Sequence, residues 1–124
     1  NGGKVCFDPK NGYAAINAKN DDKITVSMPI GVNRKILNGK AEFERGPIVL
    51  ARDERFGEDL AKPVSVPKKP GGTISKLVKN TDFYTNETVK VKTKDGEITL
   101  CDYSSAGKNY DSENCNMAVW NEIK

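Results

Sequence analysis

Asn38-Gly-Lys-Ala-Glu-Phe-Glu-Arg-Gly-Pro-Ile-Val-Leu-Ala-Arg52 is the stretch on which the reading of this chain turns. A Gly turn opens it, and Ala41 and Phe43 then alternate with Lys40, Glu42 and Glu44. Period-two alternation marks a half-buried strand, and the apolar run Ile48 to Ala51 marks a more deeply buried one. Between them stands Gly46-Pro47. Proline cannot donate to a ladder and glycine accepts backbone angles that other residues avoid, so the pair predicts a bend or bulge. The expectation is one long strand, bent in the middle, passing from one sheet to another at the corner of a sandwich.

Strand signals recur on both sides of it, and helix signals are scarce. Tyr13 to Ala18 alternates weakly, Asn20-Asp21-Asp22 supplies turn chemistry, and Lys23 to Met28 alternates cleanly until Pro29, which predicts a hairpin. Val32 to Leu37 fits neither template decisively, and Asn38-Gly39 reads as a turn. The span from Asp53 to Gly72 is charged and rich in Pro and Gly, with a short strand at Val64 to Val66 and a helical turn within Asp53 to Leu60 as its only elements. Its length is unusual for a connection inside one domain. Thr73 to Val78 reads as a strand. Thr88 to Thr93 and Glu97 to Tyr103 form the clearest hairpin, with Lys94-Asp95-Gly96 at its tip. A polar loop from Ser104 to Asn116 leads to a closing strand, Met117 to Ile123. The pattern predicts an all-β, antiparallel β-sandwich of immunoglobulin or jelly-roll type, in one domain spanning residues 1–124.

Composition bounds the function classes. The 124 residues hold 20 Lys and Arg against 17 Asp and Glu, a net charge of +3 with both signs interspersed. Nucleic-acid binding calls for a clustered basic face with stacking aromatics, and the linear sequence offers none. No apolar run approaches the ~20 residues of a membrane span, and no signal-peptide pattern opens the chain. Histidine is absent, which removes the commonest general base and the usual partner of a serine nucleophile. Glu42 and Glu44 share a strand face at a spacing of roughly 7 Å, near that of paired glycosidase carboxylates. Strand alternation alone produces such pairs, so both are expected on a solvated face beside Lys40. Cys6, Cys101 and Cys115 lack the short spacings of a structural zinc site. Pairing of Cys101 with Cys115 is one option, and three buried thiols are the favoured one. No cofactor or metal is expected.

Four stretches, in order, carry a resemblance: Gly12-Tyr13-Ala14-Ala15-Ile16, Asp22 to Pro29, Arg45-Gly46-Pro47-Ile48-Val49, and Cys101 to Lys108 with Ala118-Val119-Trp120. They resemble the strands and the Asp-Tyr/Phe-Ala-Ser-Ala-Gly and Val-Trp signatures of the β-sandwich region that follows the catalytic barrel in family 127 glycoside hydrolases, the β-L-arabinofuranosidase-like enzymes, in a Bacteroides-type subgroup. Met28-Pro29 reverses the family's Pro-Met order, and Phe56 to Thr88 does not take part. The resemblance implies an accessory C-terminal domain of a glycoside hydrolase acting on arabinose-containing plant glycans, non-catalytic in itself, with the catalytic barrel of the parent chain as partner and an extracytoplasmic (periplasmic or secreted) location. A start at Asn1 rather than Met agrees with a piece of a longer protein. The family's zinc-bound cysteine nucleophile has no counterpart here, because this chain has no adjacent cysteines.

Aromatic rings remain as candidate sugar platforms, since a ring face stacks on the apolar face of a saccharide. Asp102, Tyr103, Tyr110 and Tyr84 are the candidate contact residues for glycan or a neighbouring domain, while Trp120, in an apolar strand, is expected in the core. Two other functions stay open: an independent carbohydrate-binding module and an extracellular protein-interaction domain. Neither nucleic acid nor membrane is an expected partner.

Overall fold

The computed structural model describes residues 3, 13, 15–27, 29–66, 75–108 and 116–124. Its core is a single curled, mostly antiparallel sheet, a half-barrel, with one 3-10 turn as its only helical element among the described residues. Eight strands build it: β1 (Val32–Leu37), β2 (Lys40–Arg45), β3 (Ile48–Asp53), β4 (Ser75–Val78), β5 (Thr88–Thr93), β6 (Gly96–Asp102), β7 (Met117–Ala118) and β8 (Asn121–Glu122). The order across the sheet is β1-β2-β3-β6-β5-β4, with β7 paired to β3 and β8 to β2.

The chain's all-β, antiparallel character is thus as the alternation predicts, but the deciding stretch folds differently from its reading. β2 and β3 are two strands of a tight hairpin, with Phe43 opposite Leu50 and Arg45 opposite Ile48, rather than one bent strand. Gly46 has φ +58°, and a positive φ at the first central position, followed by a residue whose φ is fixed negative, is a type II′ requirement. Its backbone twist matches that of the flanking strands, so the chain reverses. The Asn38-Gly39 turn, with φ of 49° and 75°, meets the type I′ requirement and sets β1 against β2 in full register.

Directly opposed residues share a face, and one face carries the core: Val32, Ala41, Phe43, Leu50, Val89, Val91, Ile98 and Leu100, joined by Val64 from the following segment. Two ion pairs line this face at opposite ends. Arg52, opposite Leu100, is 3% exposed and donates to Glu58 Oε2 at 3.3 Å, to the Asp59 carbonyl at 2.7 Å and to the Lys62 carbonyl at 3.1 Å. Arg45 donates to Glu87 Oε1 at 2.8 Å, and the other Glu87 oxygen is buried and accepts no hydrogen bond among the described residues.

At their open end β2 and β3 splay apart, and the last residues fill the fork. β7 lies along Arg52 and Asp53, the chain bends at Val119-Trp120, and β8 lies along Lys40 and Ala41. The closing strand is therefore two short ones, and Trp120 sits at the bend, 40% exposed, rather than in the core. Val64 forms a single parallel bridge to Ile123 in place of a strand at 64–66. The helical turn is present as Glu54–Phe56, capped by the Asp53 side chain, which accepts from the Arg55 amide.

Residues 15–27 carry no strand. The Lys19 amide donates to Asp22 Oδ2 at 2.8 Å and closes the expected turn, but residues 15–18 and 23–27 join no strand among the described residues, and Ile24 is 50% and Val26 64% exposed. Alternation becomes a strand only against a partner ladder, and the sheet edge beside β1 is not used by these residues. The Glu42 expectation also changes. Glu42 is 8% exposed, because the outer face is covered at its centre, where Ala51, Asp53, Thr88 and Cys101 are buried as well. Glu44 is the more open of the two and pairs with Lys35 at 2.5 Å. Cys6 and Cys115 lie outside the described residues.

Candidate functional site

Three of the four residues singled out from the sequence come together at the end of β6. The fourth, Tyr110, lies outside the described residues. Asp102 is 4% exposed and organises the cluster as an acceptor of six hydrogen bonds. Its Oδ1 accepts from the amides of Asn86 at 2.9 Å and Glu87 at 3.0 Å. Its Oδ2 accepts from Asn86 Nδ2 at 3.0 Å, Ser104 Oγ at 2.5 Å, Ser105 Oγ at 2.8 Å and the Ser105 amide at 3.1 Å. The backbone arrangement follows from the run Asp102-Tyr103-Ser104-Ser105, whose Asp and Ser residues form local side chain–backbone turns at strand ends.

Burial alone would push the Asp102 carboxyl upward. The donors from Ser104, the Glu87 amide, Asn86 and Ser105 outweigh it and hold the group well below the usual carboxylate range. Asp102 is therefore a weak base whose lone pairs are already committed. It cannot take a proton from Ser104 at neutral pH, and no imidazole exists to do so. The cluster is built to hold a shape.

That shape presents two rings. Tyr84 is 72% exposed and donates its hydroxyl to Asn86 Oδ1 at 2.6 Å. Tyr103, 56% exposed, follows Asp102 directly, and its amide donates to the Val49 carbonyl at 2.9 Å. Asn86 stands between them, tied to Ser104 Oγ at 3.1 Å. Beside them a shallow cavity of about 360 Å³ is lined by Ile48, Val49, Asn86, Asp102, Tyr103 and Ser104. Sequence reasoning found Asp102, Tyr84 and Tyr103 but missed Asn86, Ser105 and the Ile48-Val49 floor. The Asn86 side-chain nitrogen donates to Asp102, Ser104 and Ser105.

A second clamp anchors the polar loop behind this cluster. Asp53, fully buried, accepts from Arg55 Nε and Nη2 and from the Gly107 amide at 2.9 Å. Arg55 also donates to the carbonyls of Ser105 and Lys108, and its guanidinium lies 4.2 Å from the Phe83 ring centroid. The Glu54 amide donates to the Asn116 carbonyl at 3.1 Å. The residues flanking the loop are thus fastened to one corner of the sheet.

Among the described residues no three His, Cys, Asp or Glu side chains are grouped to hold a metal ion, and no helix is long and apolar enough to cross a membrane. Comparison with known proteins finds no matching family model, no matching curated protein and no matching solved structure.

Proposed function

We propose that this chain is a non-catalytic scaffold domain, one part of a β-sandwich that is completed against a second body, and that in its parent this body is the catalytic barrel of a β-L-arabinofuranosidase-like glycoside hydrolase. The observation that carries the reading is the half-open sheet. Strands β1 and β4 end it on either side, and Ile36, Leu37 and Leu77 are exposed on these two strands. An apolar edge of this kind is what a docking partner covers. The four sequence stretches that resemble the family's sandwich region support a catalytic barrel as the partner, and the saturated Asp102 cluster supports a structural rather than a chemical role. The test is direct. The purified chain should release no sugar from arabinose-containing oligosaccharides, and adding it to the separately produced catalytic barrel of its parent should raise the barrel's melting temperature. Sugar release, or a barrel indifferent to the chain, refutes the proposal.

A carbohydrate-binding module is the second reading, favoured by Tyr84 and Tyr103 standing exposed on either side of Asn86. Their hydroxyls and ring faces suit a neutral saccharide, with ring stacking contributing roughly 0.5–1.5 kcal/mol per contact. Titration with arabino-oligosaccharides at millimolar concentration should shift the Tyr84 and Tyr103 resonances and should fail in Tyr103→Ala. Unshifted resonances in the native chain remove this reading.

A further inference from the structure

The register places three lysines together on the outer face of the sheet, far apart though they are in sequence. Lys76 on β4 lies directly opposite Lys90 on β5, and Lys92 follows two residues on, on the same face. The rise along a strand separates Lys90 from Lys92 by roughly 7 Å, and a directly opposed pair stands about 5 Å apart at Cβ. All three are exposed and none makes an ion pair among the described residues, whereas Lys35, Lys40 and Lys124 are each bridged to a carboxylate. Thr99 lies across from Lys90 on the other side, adding a hydroxyl to the patch. Glu97 lies across from Lys92 and offsets one of the three charges, so the patch keeps a net positive charge.

Like charges directly opposed across an antiparallel pair destabilise the sheet. Elsewhere in the sheet the opposed positions carry unlike charges, as at Lys35 and Glu42. We propose that Lys76, Lys90 and Lys92 form a binding surface for an acidic polysaccharide, whose carboxylates the three ammonium groups meet in turn. The geometry favours this over single-stranded nucleic acid. The patch neighbours Val78, Thr88, Glu97 and Thr99 and contains no aromatic ring, so bases would have nothing to stack on. The three lysines themselves lie exposed beyond the covered centre of the face, within reach of a polymer in solution. This surface is separate from the Tyr84–Tyr103 cluster, and the inference does not rest on the reading of that cluster.

The test uses the intact chain with polygalacturonate as probe, alongside a neutral arabinan and a double-stranded DNA oligonucleotide. Binding to polygalacturonate is expected at low salt and should fall steeply as ionic strength rises toward 0.5 M, since exposed charges are screened over about 10 Å at 0.1 M. Lys76→Glu/Lys90→Glu should weaken it on the order of 10-fold or more. The neutral pair Lys76→Gln/Lys90→Gln should weaken it less. Lys90→Glu alone should raise the melting temperature by about 1–4 °C, because opposed unlike charges replace like ones. No binding, equal binding by the charge-reversed protein, or tighter binding to DNA than to polygalacturonate would overturn the proposal, and a lowered melting temperature in Lys90→Glu would overturn the like-charge argument beneath it.

Discussion

Asp102→Asn isolates the carboxylate on which the Tyr84–Tyr103 cluster is built. The substitution keeps the side-chain shape and one acceptor oxygen. If that oxygen stays on the Asn86 and Glu87 amides, the new NH₂ group faces four donors that formerly met Oδ2. The Ser104 and Ser105 hydroxyls can rotate and accept. The Ser105 amide and Asn86 Nδ2 cannot, and each lost bond to a charged acceptor costs about 1.5–3 kcal/mol. The expected destabilisation at pH 7 is therefore about 3–6 kcal/mol, read from urea unfolding followed by far-ultraviolet circular dichroism. Acid supplies the second arm. The folded carboxyl lies below its unfolded value, so its contribution is present in full above the unfolded pKa and is lost as pH falls toward the folded one. With an unfolded value of about 3.9, the native chain should lose about 1.3 kcal/mol from this group at pH 3, and Asp102→Asn should lose none of it. Other titrating groups are common to both proteins and cancel in the difference. The gap between the two should narrow by that amount from pH 7 to pH 3. A gap under 0.5 kcal/mol at pH 7 (roughly the noise of ordinary surface substitutions), or one that stays constant in acid, would refute the account.

Gly46→Val should destabilise the chain by about 2–4 kcal/mol, since a branched residue at φ +58° is strained and a Cβ there would meet Ile30 Cγ2 at 3.2 Å; an unchanged melting temperature would show that the β2–β3 turn tolerates another conformation. Arg52→Leu should cost about 3–5 kcal/mol, because it strands the Glu58 carboxylate and two carbonyls at the end of the core, and a loss under 1 kcal/mol in urea unfolding would mean that water reaches this corner.

One hairpin and one turn between sequence neighbours were legible before any coordinates. The β5–β6 hairpin follows from alternation on both sides of Lys94-Asp95-Gly96, and the β1–β2 turn from Asn38-Gly39, because a two-residue turn and its flanking pattern fix register locally. A helical turn was expected only somewhere within Asp53 to Leu60, and the structure sets it at Glu54–Phe56. Gly46-Pro47 was legible as an interruption but not as a reversal: a bulge and a type II′ turn share the same glycine, and only the pairing of Phe43 with Leu50 decides between them.

The candidate site shows the same division. Asp102, Tyr103 and Tyr84 were visible as residue types suited to contact, but Asn86 and Ser105 became members only when β5 was laid against β6. The sequence by itself determined an all-β, antiparallel chain with polar turns and no histidine chemistry, because strand period and residue identity are properties of short windows. Tertiary structure alone decided which faces are wet, why Glu42 is buried and Trp120 is not, why residues 23–27 stay unpaired, and that Lys76 meets Lys90. Those outcomes depend on contacts between residues distant in the chain, and period-two alternation says which residues share a face without saying what, if anything, lies against it.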